Sequence, residues 1–142
     1  MTDRISVEHR SWNMSRIRGA NTKPELAVRS LLHQLGFRFR VHRRDLPGTP
    51  DIVLPRFQTV ILVHGCFWHR HQRCQFAYRP KSKVIFWEEK FQRTVERDRE
   101  VRTALRKLGW KVLVVWECEL RVPLMLSKRL VRILQDSINR KR

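Results

Sequence analysis

Three cysteines and two histidines have the spacing of a metal site. Cys66, His71 and Cys74 lie close together, and Cys118 follows 44 residues after Cys74. Thiolate and imidazole in a set of four are the ligands that Zn²⁺ takes in a closed structural site. His69 is a fifth candidate, because Cys66-x2-His69 is also a ligand spacing. We therefore expect a structural zinc; the alternative is that Cys66 and Cys118 are small buried residues and His71 lies at the surface.

A second set of side chains has the chemistry for phosphodiester hydrolysis: Glu25, Asp51, His64, His69 and Asp98. This cleavage needs a divalent cation, and a base that changes charge near neutral pH, which imidazole supplies. Asp51 begins a short apolar segment and His64 ends a neighbouring one. The sequence leaves two alternatives open, since Glu25 could equally complete a helix cap and His64 could be only a polar strand end.

Asp98 interrupts the apolar face of a long predicted helix. The spacings along this face alternate by four and three, and the apolar members of the row are Phe91, Val95, Val101, Leu105 and Leu108. A carboxylate in a core-facing row costs stability unless a partner compensates for its burial. We therefore expect Asp98 to have a partner in the folded protein.

The chain is strongly basic, since 31 lysines and arginines against 13 acidic residues give 142 residues a formal charge of +18. Nucleic acid is the default partner of such a protein, and a merely soluble basic protein is the alternative. No apolar run approaches the roughly 18–20 residues of a membrane span, and Met1–Arg10 lacks a signal-peptide core. An odd number of cysteines argues against a disulfide framework. These features predict a cytoplasmic protein.

Hydrophobic patterning predicts one α/β domain over residues 1–142. Residues 1–21 form a basic arm with few apolar anchors. Thr22-Lys23-Pro24-Glu25 fits a capping box, and the helix that follows carries Leu26, Leu31, Leu32 and Leu35 and ends at Gly36. Strands are expected at 37–41, 51–54, 59–64 and 111–116, with a long helix from about Val84 to Gly109. The last predicted helix begins at Pro123, and its inward residues are Leu126, Leu130, Ile133, Leu134 and Ile138.

Six blocks between Ser11 and Cys118 resemble the very-short-patch-repair (Vsr) DNA mismatch endonucleases. The block His64-Gly65-Cys66-Phe67-Trp68-His69-x-His71 is highly specific. The others are Ser11-x-Asn13-Met14-x-x-Ile17, Leu46-Pro47-Gly48-x-Pro50-Asp51, Phe86-Trp87-x-x-Lys90, Val95-Glu96-Arg97-Asp98-Arg99 and Leu108-Gly109-Trp110-x-Val112-Leu113-x-Val115-Trp116-Glu117-Cys118.

The resemblance implies a restriction-endonuclease-like fold, in which helices flank a central mixed sheet and a structural zinc is bound. It also implies a Mg²⁺-dependent nick on the 5′ side of the thymine in T:G mismatches, which arise when 5-methylcytosine is deaminated. The nick initiates very short patch repair. The enzyme would be a monomer, bacterial and associated with the nucleoid. Its substrate is double-stranded DNA with a T:G mismatch, and proteins that recruit mismatch repair are candidate partners.

The family pattern also implies roles for single residues. Asp51 and the backbone carbonyl of Val63 match Mg²⁺ ligands. His69 matches the residue that activates water, and Asp98 matches the residue that orients it. Glu25 and His64 match residues that hold water molecules around the metal. Zinc would take Cys66, His71, Cys74 and Cys118. Phe67, Trp68 and Trp87 match aromatic residues that insert beside the mismatch, and Asn13, Met14 and Ile17 lie in the segment that grips the opposite groove.

Insertion of aromatic side chains has a physical basis. A T:G wobble pair stacks poorly, so an inserted wedge opens it at lower cost than a matched step. Unstacking costs a few kcal/mol per step, and stacking on an aromatic side chain returns about 1–3 kcal/mol per base. Phe67 and Trp68 follow Gly65 among charged residues, so we expect them to be exposed. Inward packing of Phe67 is the alternative.

Two features depart from the family pattern, and a third departs from the pattern of the wider nuclease superfamily. Val63 occupies the usual threonine position, so only its backbone can bind a metal. Cys74 comes one residue later than usual. The acidic-x-Lys motif of the wider nuclease superfamily has no lysine after Asp51, so His69 would have to replace that function. The alternatives to mismatch-directed nicking are a restriction-like nuclease acting on matched duplex and a zinc-stabilised DNA-binding protein without catalysis.

Overall fold

One helix, three successive strands, a long helix, a fourth strand and a last helix follow one another along the part of the chain that the structure describes, close to the order that the hydrophobic pattern predicts. A computed structural model describes residues 22–140, with side chains through residue 135, so the arm with Asn13, Met14 and Ile17 lies outside the described residues. Within them the helices are α1 (Lys23–Gln34), α2 (Val84–Lys107) and α3 (Pro123–Arg140). The strands are β1 (Arg40–Val41), β2 (Ile52–Leu54), β3 (Thr59–His64) and β4 (Lys111–Trp116). No helix of this part of the chain is long and apolar enough to cross a membrane.

The strands form one mixed sheet in the order β1-β2-β3-β4. β2 pairs antiparallel with β1 and with β3, whereas β3 and β4 are parallel and joined by the crossover helix α2. Because β2 and β3 run in opposite directions, the start of β2 lies beside the end of β3. The predicted α/β fold with a mixed sheet and flanking helices is thus confirmed.

The sheet has a hydrophobic core on each face. Alternate strand residues point to opposite faces, so Ile52 and Ile61 face the side covered by α1 and α3, whereas Val53 and Val60 face Leu105 of α2. The buried residues of the first face are Val28, Leu32, Ile52, Leu54, Phe57, Ile61, Leu113, Val115, Leu126, Leu130 and Leu134. Helices on both faces therefore fix the strand ends, where the candidate site residues lie.

Three details of the predicted elements were wrong. The predicted strand 37–41 is reduced to Arg40–Val41, because the N–H of Phe37 bonds to the carbonyl of Leu32 at the end of α1. In α1 the buried residues include Val28, while Leu26 is 48% exposed. Leu108 is 60% exposed, because α2 ends before it. The predicted inward residue Ile138 lies beyond the described side chains.

The turn before Asp51 depends on Gly48. Gly48 has a left-handed φ of +71°, and a Cβ there would lie 2.6 Å from a methyl group of Val101 in α2. A larger residue would therefore be both strained and in steric conflict. This close contact between the turn and α2 fixes the segment that leads into Asp51.

Candidate active site and metal centre

Asp51 precedes β2 at the sheet edge where β3 ends. Its Oδ2 accepts a hydrogen bond from the backbone N–H of Val63 at 2.8 Å. The N–H and C=O of one strand residue point to the same side, so the carbonyl of Val63 also faces the side of Asp51. The structure thereby brings together the two residues predicted to bind Mg²⁺.

Glu25 reaches the same sheet edge from α1 and is only 5% exposed. Its Oε2 lies 3.1 Å from Nε2 of His42 and accepts a hydrogen bond from Arg29 at 3.2 Å. Its backbone N–H donates to the Thr22 hydroxyl, so the predicted N-cap also forms. The helix cap therefore uses the backbone N–H of Glu25, while its carboxylate contacts Arg29 and His42.

His42 is a member of the site that sequence reasoning missed. Ligand atoms of Glu25, His42 and Asp51 all lie within 4.8 Å of one another. The backbone N–H of His42 also donates to the carbonyl of Asp51 at 3.4 Å, which continues the pairing of β1 with β2. The one available signal was its position directly after a predicted strand, at the edge where Asp51 begins another.

The electrostatics of this group suit a divalent cation. Burial raises the pKa of Asp51 to about 7, the charge of Glu25 acts in the same direction, and the Val63 N–H opposes them. Two ionised carboxylates that are buried side by side repel each other, and a cation bound between them removes this repulsion. Carboxylate and carbonyl oxygens are the donors that Mg²⁺ prefers. The residues present therefore fit a divalent metal.

Asp98 has the partner that its position in α2 predicts. Its Oδ2 lies 2.7 Å from Nδ1 of His69, and its Oδ1 lies 3.9 Å from Nε2 of His64. The two imidazole rings are stacked with centroids 3.9 Å apart. A hydrogen bond from Nδ1–H to a carboxylate leaves Nε2 of His69 as the nitrogen that can accept a proton. This arrangement is chemically suited to general-base catalysis.

His64 differs from His69 in its environment. It is 5% exposed, and burial lowers its pKa to about 3, with His69 acting in the same direction. His64 is therefore neutral at physiological pH. Its buried Nδ1 has no hydrogen-bond partner among the described residues. A buried neutral nitrogen of this kind is suited to binding a water molecule.

The predicted zinc ligands converge at a separate place. One ligand atom each from Cys66, His71, Cys74 and Cys118 lies within 4.8 Å of the others. Nδ1 of His71 is 3.5 Å from Sγ of Cys118 and 3.7 Å from Sγ of Cys66. These separations are close to those of tetrahedral ligands with metal–sulfur bonds of about 2.3 Å. The four side chains fit a closed metal site, and His69 is not among them.

The pKa values of two thiols in this site are shifted in opposite directions. Burial raises the pKa of Cys66 to about 12. Burial also acts to raise the pKa of Cys74, but hydrogen bonds, including those from the backbone N–H groups of Phe76 and Ala77, outweigh it and lower that pKa. A bound metal would deprotonate such thiols outright. Cys74 lies within the group although it comes one residue later in the sequence than the family pattern has it.

Six aromatic side chains form a cluster beside the histidines, which we call the aromatic cluster. Its members are Phe67, Trp68, Tyr78, Phe86, Trp87 and Phe91. Phe67 is central, with its ring 5.2 Å from that of Trp68 and 5.5 Å from that of Trp87. Phe67 and Trp68 are half-buried, so the expectation that both are exposed was wrong: they pack against each other and against Trp87.

Two exposed members of this cluster were not predicted from the sequence. Tyr78 is 63% exposed and Phe86 is 50% exposed. Lys90 lies over the rings of Trp68 and Phe86 at 5.2 and 5.6 Å. Aromatic faces beside cationic side chains are the composition of a surface that stacks on nucleic-acid bases.

Comparisons with known proteins agree on one family. A family model described as DNA mismatch endonuclease Vsr matches residues 2–75. The type II nicking enzyme V.XorIIP of Xanthomonas oryzae pv. oryzae is 51% identical over 137 residues, 96% of this chain and 100% of that protein. The type II nicking enzyme V.NmeAIP of Neisseria meningitidis is 43% identical over 136 residues, covering 96% of each chain. The DNA mismatch endonuclease Vsr of Escherichia coli is 46% identical over 121 residues, 85% of this chain and 77% of that protein.

Proposed function

This chain belongs to the Vsr family of DNA endonucleases, and from that premise we propose that it nicks one strand of duplex DNA on the 5′ side of the thymine in T:G mismatches. Such mismatches arise by deamination of 5-methylcytosine, and the nick would initiate very short patch repair. The observation that carries the cleavage step is the 2.7 Å contact between His69 and Asp98, and the choice of a mismatch substrate rests on the similarity to DNA mismatch endonucleases.

Mg²⁺ would be held by Asp51 and the backbone carbonyl of Val63, with Glu25 and His64 beside them. The fit rests on the donor set and on the raised pKa of Asp51, which burial and a second carboxylate cause. When bound, Mg²⁺ supplies positive charge that stabilises the phosphate during cleavage and makes water a better nucleophile. His42 would be a further donor at this place.

His69 is the proposed general base. Its Nε2 would take a proton from the water that attacks phosphorus as the P–O bond to the leaving strand breaks, and the departing oxygen would take a proton from solvent water. Asp98 holds the ring through Nδ1–H and stabilises the imidazolium that forms. Stacking against neutral His64 fixes the ring from its face. Asp98 is therefore a positioning residue, and His69 a catalytic one.

Zinc bound by Cys66, His71, Cys74 and Cys118 would have a structural role. Four protein ligands leave no coordination position for water, and the metal would join the loop after β3 to the turn after β4. Phe67 and Trp68 lie in this loop, and Trp87 of α2 contacts both. The metal would therefore fix these three rings in position to insert beside the mismatch. A restriction-endonuclease-like fold is consistent with this assembly.

The proposal extends to the whole chain as one monomeric nuclease domain. Residues 1–21 would be a DNA-contacting arm, in which Asn13, Met14 and Ile17 grip the groove opposite the aromatic side chains. The support for this is the basic composition, which gives the chain a formal charge of +18 and favours binding to a polyanion. Proteins that recruit mismatch repair would be further partners.

A nicking assay tests this function. Duplexes labelled on each strand, matched or carrying each single mismatch in several sequence contexts, are incubated with excess protein and Mg²⁺, and products are resolved to one nucleotide. We expect one product, cut 5′ of the thymine of T:G. Equal cutting of matched duplex would indicate a restriction-like nuclease instead, and binding without cleavage under any divalent cation would indicate a DNA-binding protein.

A further inference from the structure

Tyr78 is an aromatic residue that contacts Phe67, a member of the predicted wedge of Phe67, Trp68 and Trp87. The proposed reaction gives Tyr78 no role. Its ring lies 4.9 Å from that of Phe67, at an interplanar angle of 40°. It is the most exposed ring of the aromatic cluster, at 63%, whereas Trp68 and Trp87 are half-buried. Tyr78 therefore extends the aromatic surface outwards from the predicted wedge.

Arg70 holds the backbone of Tyr78 against the wedge. Its guanidinium donates to the carbonyl of Phe67 at 3.2 Å, to that of Ala77 at 2.9 Å and to that of Tyr78 at 3.1 Å. The same group lies over the ring of Phe91 at 4.0 Å. The half-buried side chain of Arg70 thus links the segment before Cys74 to the segment after it, and holds both against Phe91 of α2.

The backbone at Arg70 is itself unusual. Its φ is +52°, a left-handed conformation that non-glycine residues adopt at a cost. In this conformation its guanidinium donors serve three backbone carbonyls of the loop. Arg70 therefore fixes the loop before DNA binds. Less conformational entropy is then lost on binding.

We propose that Tyr78 is a further DNA-contacting residue, which stacks on a base at the opened mismatch, and that Arg70 is the residue that positions it. The inference rests on the proposed function, because it assigns Tyr78 to mismatch recognition. The phosphate contacts of basic side chains are blind to the mismatch, whereas stacking at an opened step is not.

The test compares the dissociation constants of T:G and matched duplexes for Tyr78→Ala, Tyr78→Phe and the wild type, with Trp68→Ala as a positive control. Arg79→Ala is the matched control, because Arg79 adjoins Tyr78 but is exposed and paired with Glu88. Tyr78→Ala should weaken T:G binding at least about fivefold, the lower end for loss of one base stack, and leave matched binding unchanged. Tyr78→Phe should keep the preference, because its ring still stacks.

The role of Arg70 is tested by Arg70→Ala, alone and combined with Tyr78→Ala, with Arg73→Ala as the control from the same loop. Arg70→Ala should reduce the preference for T:G by up to the effect of Tyr78→Ala, and should add little in the double variant. Zinc content and thermal stability are measured for each protein. Equal losses on both duplexes, or an undiminished effect of Arg70→Ala when Tyr78 is already replaced by alanine, would make the role of Arg70 structural.

Two failures can be told apart. A wild-type protein that binds and cuts T:G and matched duplexes equally would contradict the proposed function, and this inference with it. A wild type that discriminates, and whose preference survives Tyr78→Ala while Trp68→Ala abolishes it, would overturn the assignment of Tyr78 and leave the proposed function intact.

Discussion

The loop after β3 serves two groups of side chains that differ in chemistry. His71 lies with three cysteines, whereas His69, two residues earlier, bonds to Asp98 of α2. The cysteine group combines three thiols with one imidazole, a set that would fill a tetrahedral zinc site and leave no place for water. The aspartate and histidine groups contain hard oxygen donors, a raised carboxyl pKa and a buried nitrogen without a partner among the described residues. The first arrangement suits a scaffold and the second suits a reaction.

The largest effect should follow from breaking the scaffold. Cys66→Ser removes a proposed zinc ligand that is only 1% exposed and lies two residues after β3. Because binding of a structural metal is coupled to folding, we expect loss of zinc, a lower melting temperature and no detectable nicking. Zinc content and thermal unfolding of the purified variant measure this. Full zinc content with normal nicking would remove Cys66 from the ligand set.

Asp51→Asn should abolish the reaction while leaving the scaffold intact. The substituted amide would retain a similar shape but lose the charge that a divalent cation needs. We expect zinc content and affinity for T:G duplex near those of the wild type, with nicking below detection. Binding by anisotropy and single-turnover nicking measure the two properties. Nicking at the wild-type rate would exclude Asp51 from the metal site.

Asp98→Asn should have an intermediate effect. The amide that replaces the carboxylate can still contact His69, but it cannot stabilise the imidazolium, and it can favour the wrong tautomer. The loss in rate should be smaller than that for removal of the base itself, which typically costs about 10²–10⁴-fold. The measurement is the single-turnover rate as a function of pH, with zinc content as the control. A rate equal to that of the wild type at every pH would show that His69 does not depend on Asp98.

The smallest effect concerns the stability of the metal-free protein. The pKa of Asp51 is about 7 in the fold and near 3.8 as its ordinary value, so between these values the folded state keeps a proton that the unfolded state has lost. This group therefore lowers the free energy of unfolding as pH rises from about 4 to 7, by on the order of a few kcal/mol.

Mg²⁺ should offset that loss, because it binds the ionised form of Asp51 and must compete with the proton at lower pH. We expect the rise in melting temperature on adding Mg²⁺ to be larger at pH 8 than at pH 5, and absent in Asp51→Asn. Thermal scans with and without Mg²⁺, on protein whose cysteine site is saturated with zinc, measure the difference. A rise of the same size at both pH values would place Mg²⁺ away from Asp51.

Local sequence patterns were sufficient to predict most of the elements and to single out candidate side chains that the fold brings together. The apolar run of β3, the apolar row in α2 and the cysteine spacing each reflect a physical period or a ligand chemistry that is visible in the chain. Asp98 was informative because it breaks such a row, and its partner His69 was implied by the family pattern. These predictions depend on neighbours in sequence, which a single chain displays.

Residues that depend on contacts between distant segments were missed. His42 joins Glu25 and Asp51 only because β1 pairs with β2, and Tyr78 is held beside Phe67 by the bonds from Arg70 to backbone carbonyls. Backbone carbonyls have no signature in a sequence. The strand predicted at 37–41 failed for a local reason, because the N–H of Phe37 bonds to the carbonyl of Leu32 at the end of α1 instead of pairing with another strand.

The division of labour between the two histidines is tested most directly by measuring zinc content and single-turnover nicking of T:G duplex in the same preparations of His69→Ala and His71→Ala. We predict that His69→Ala keeps its zinc and its melting temperature and loses about 10²–10⁴-fold in rate, as expected for removal of a general base. His71→Ala should lose zinc and stability together. Loss of zinc from His69→Ala, with zinc and activity retained in His71→Ala, would contradict the account.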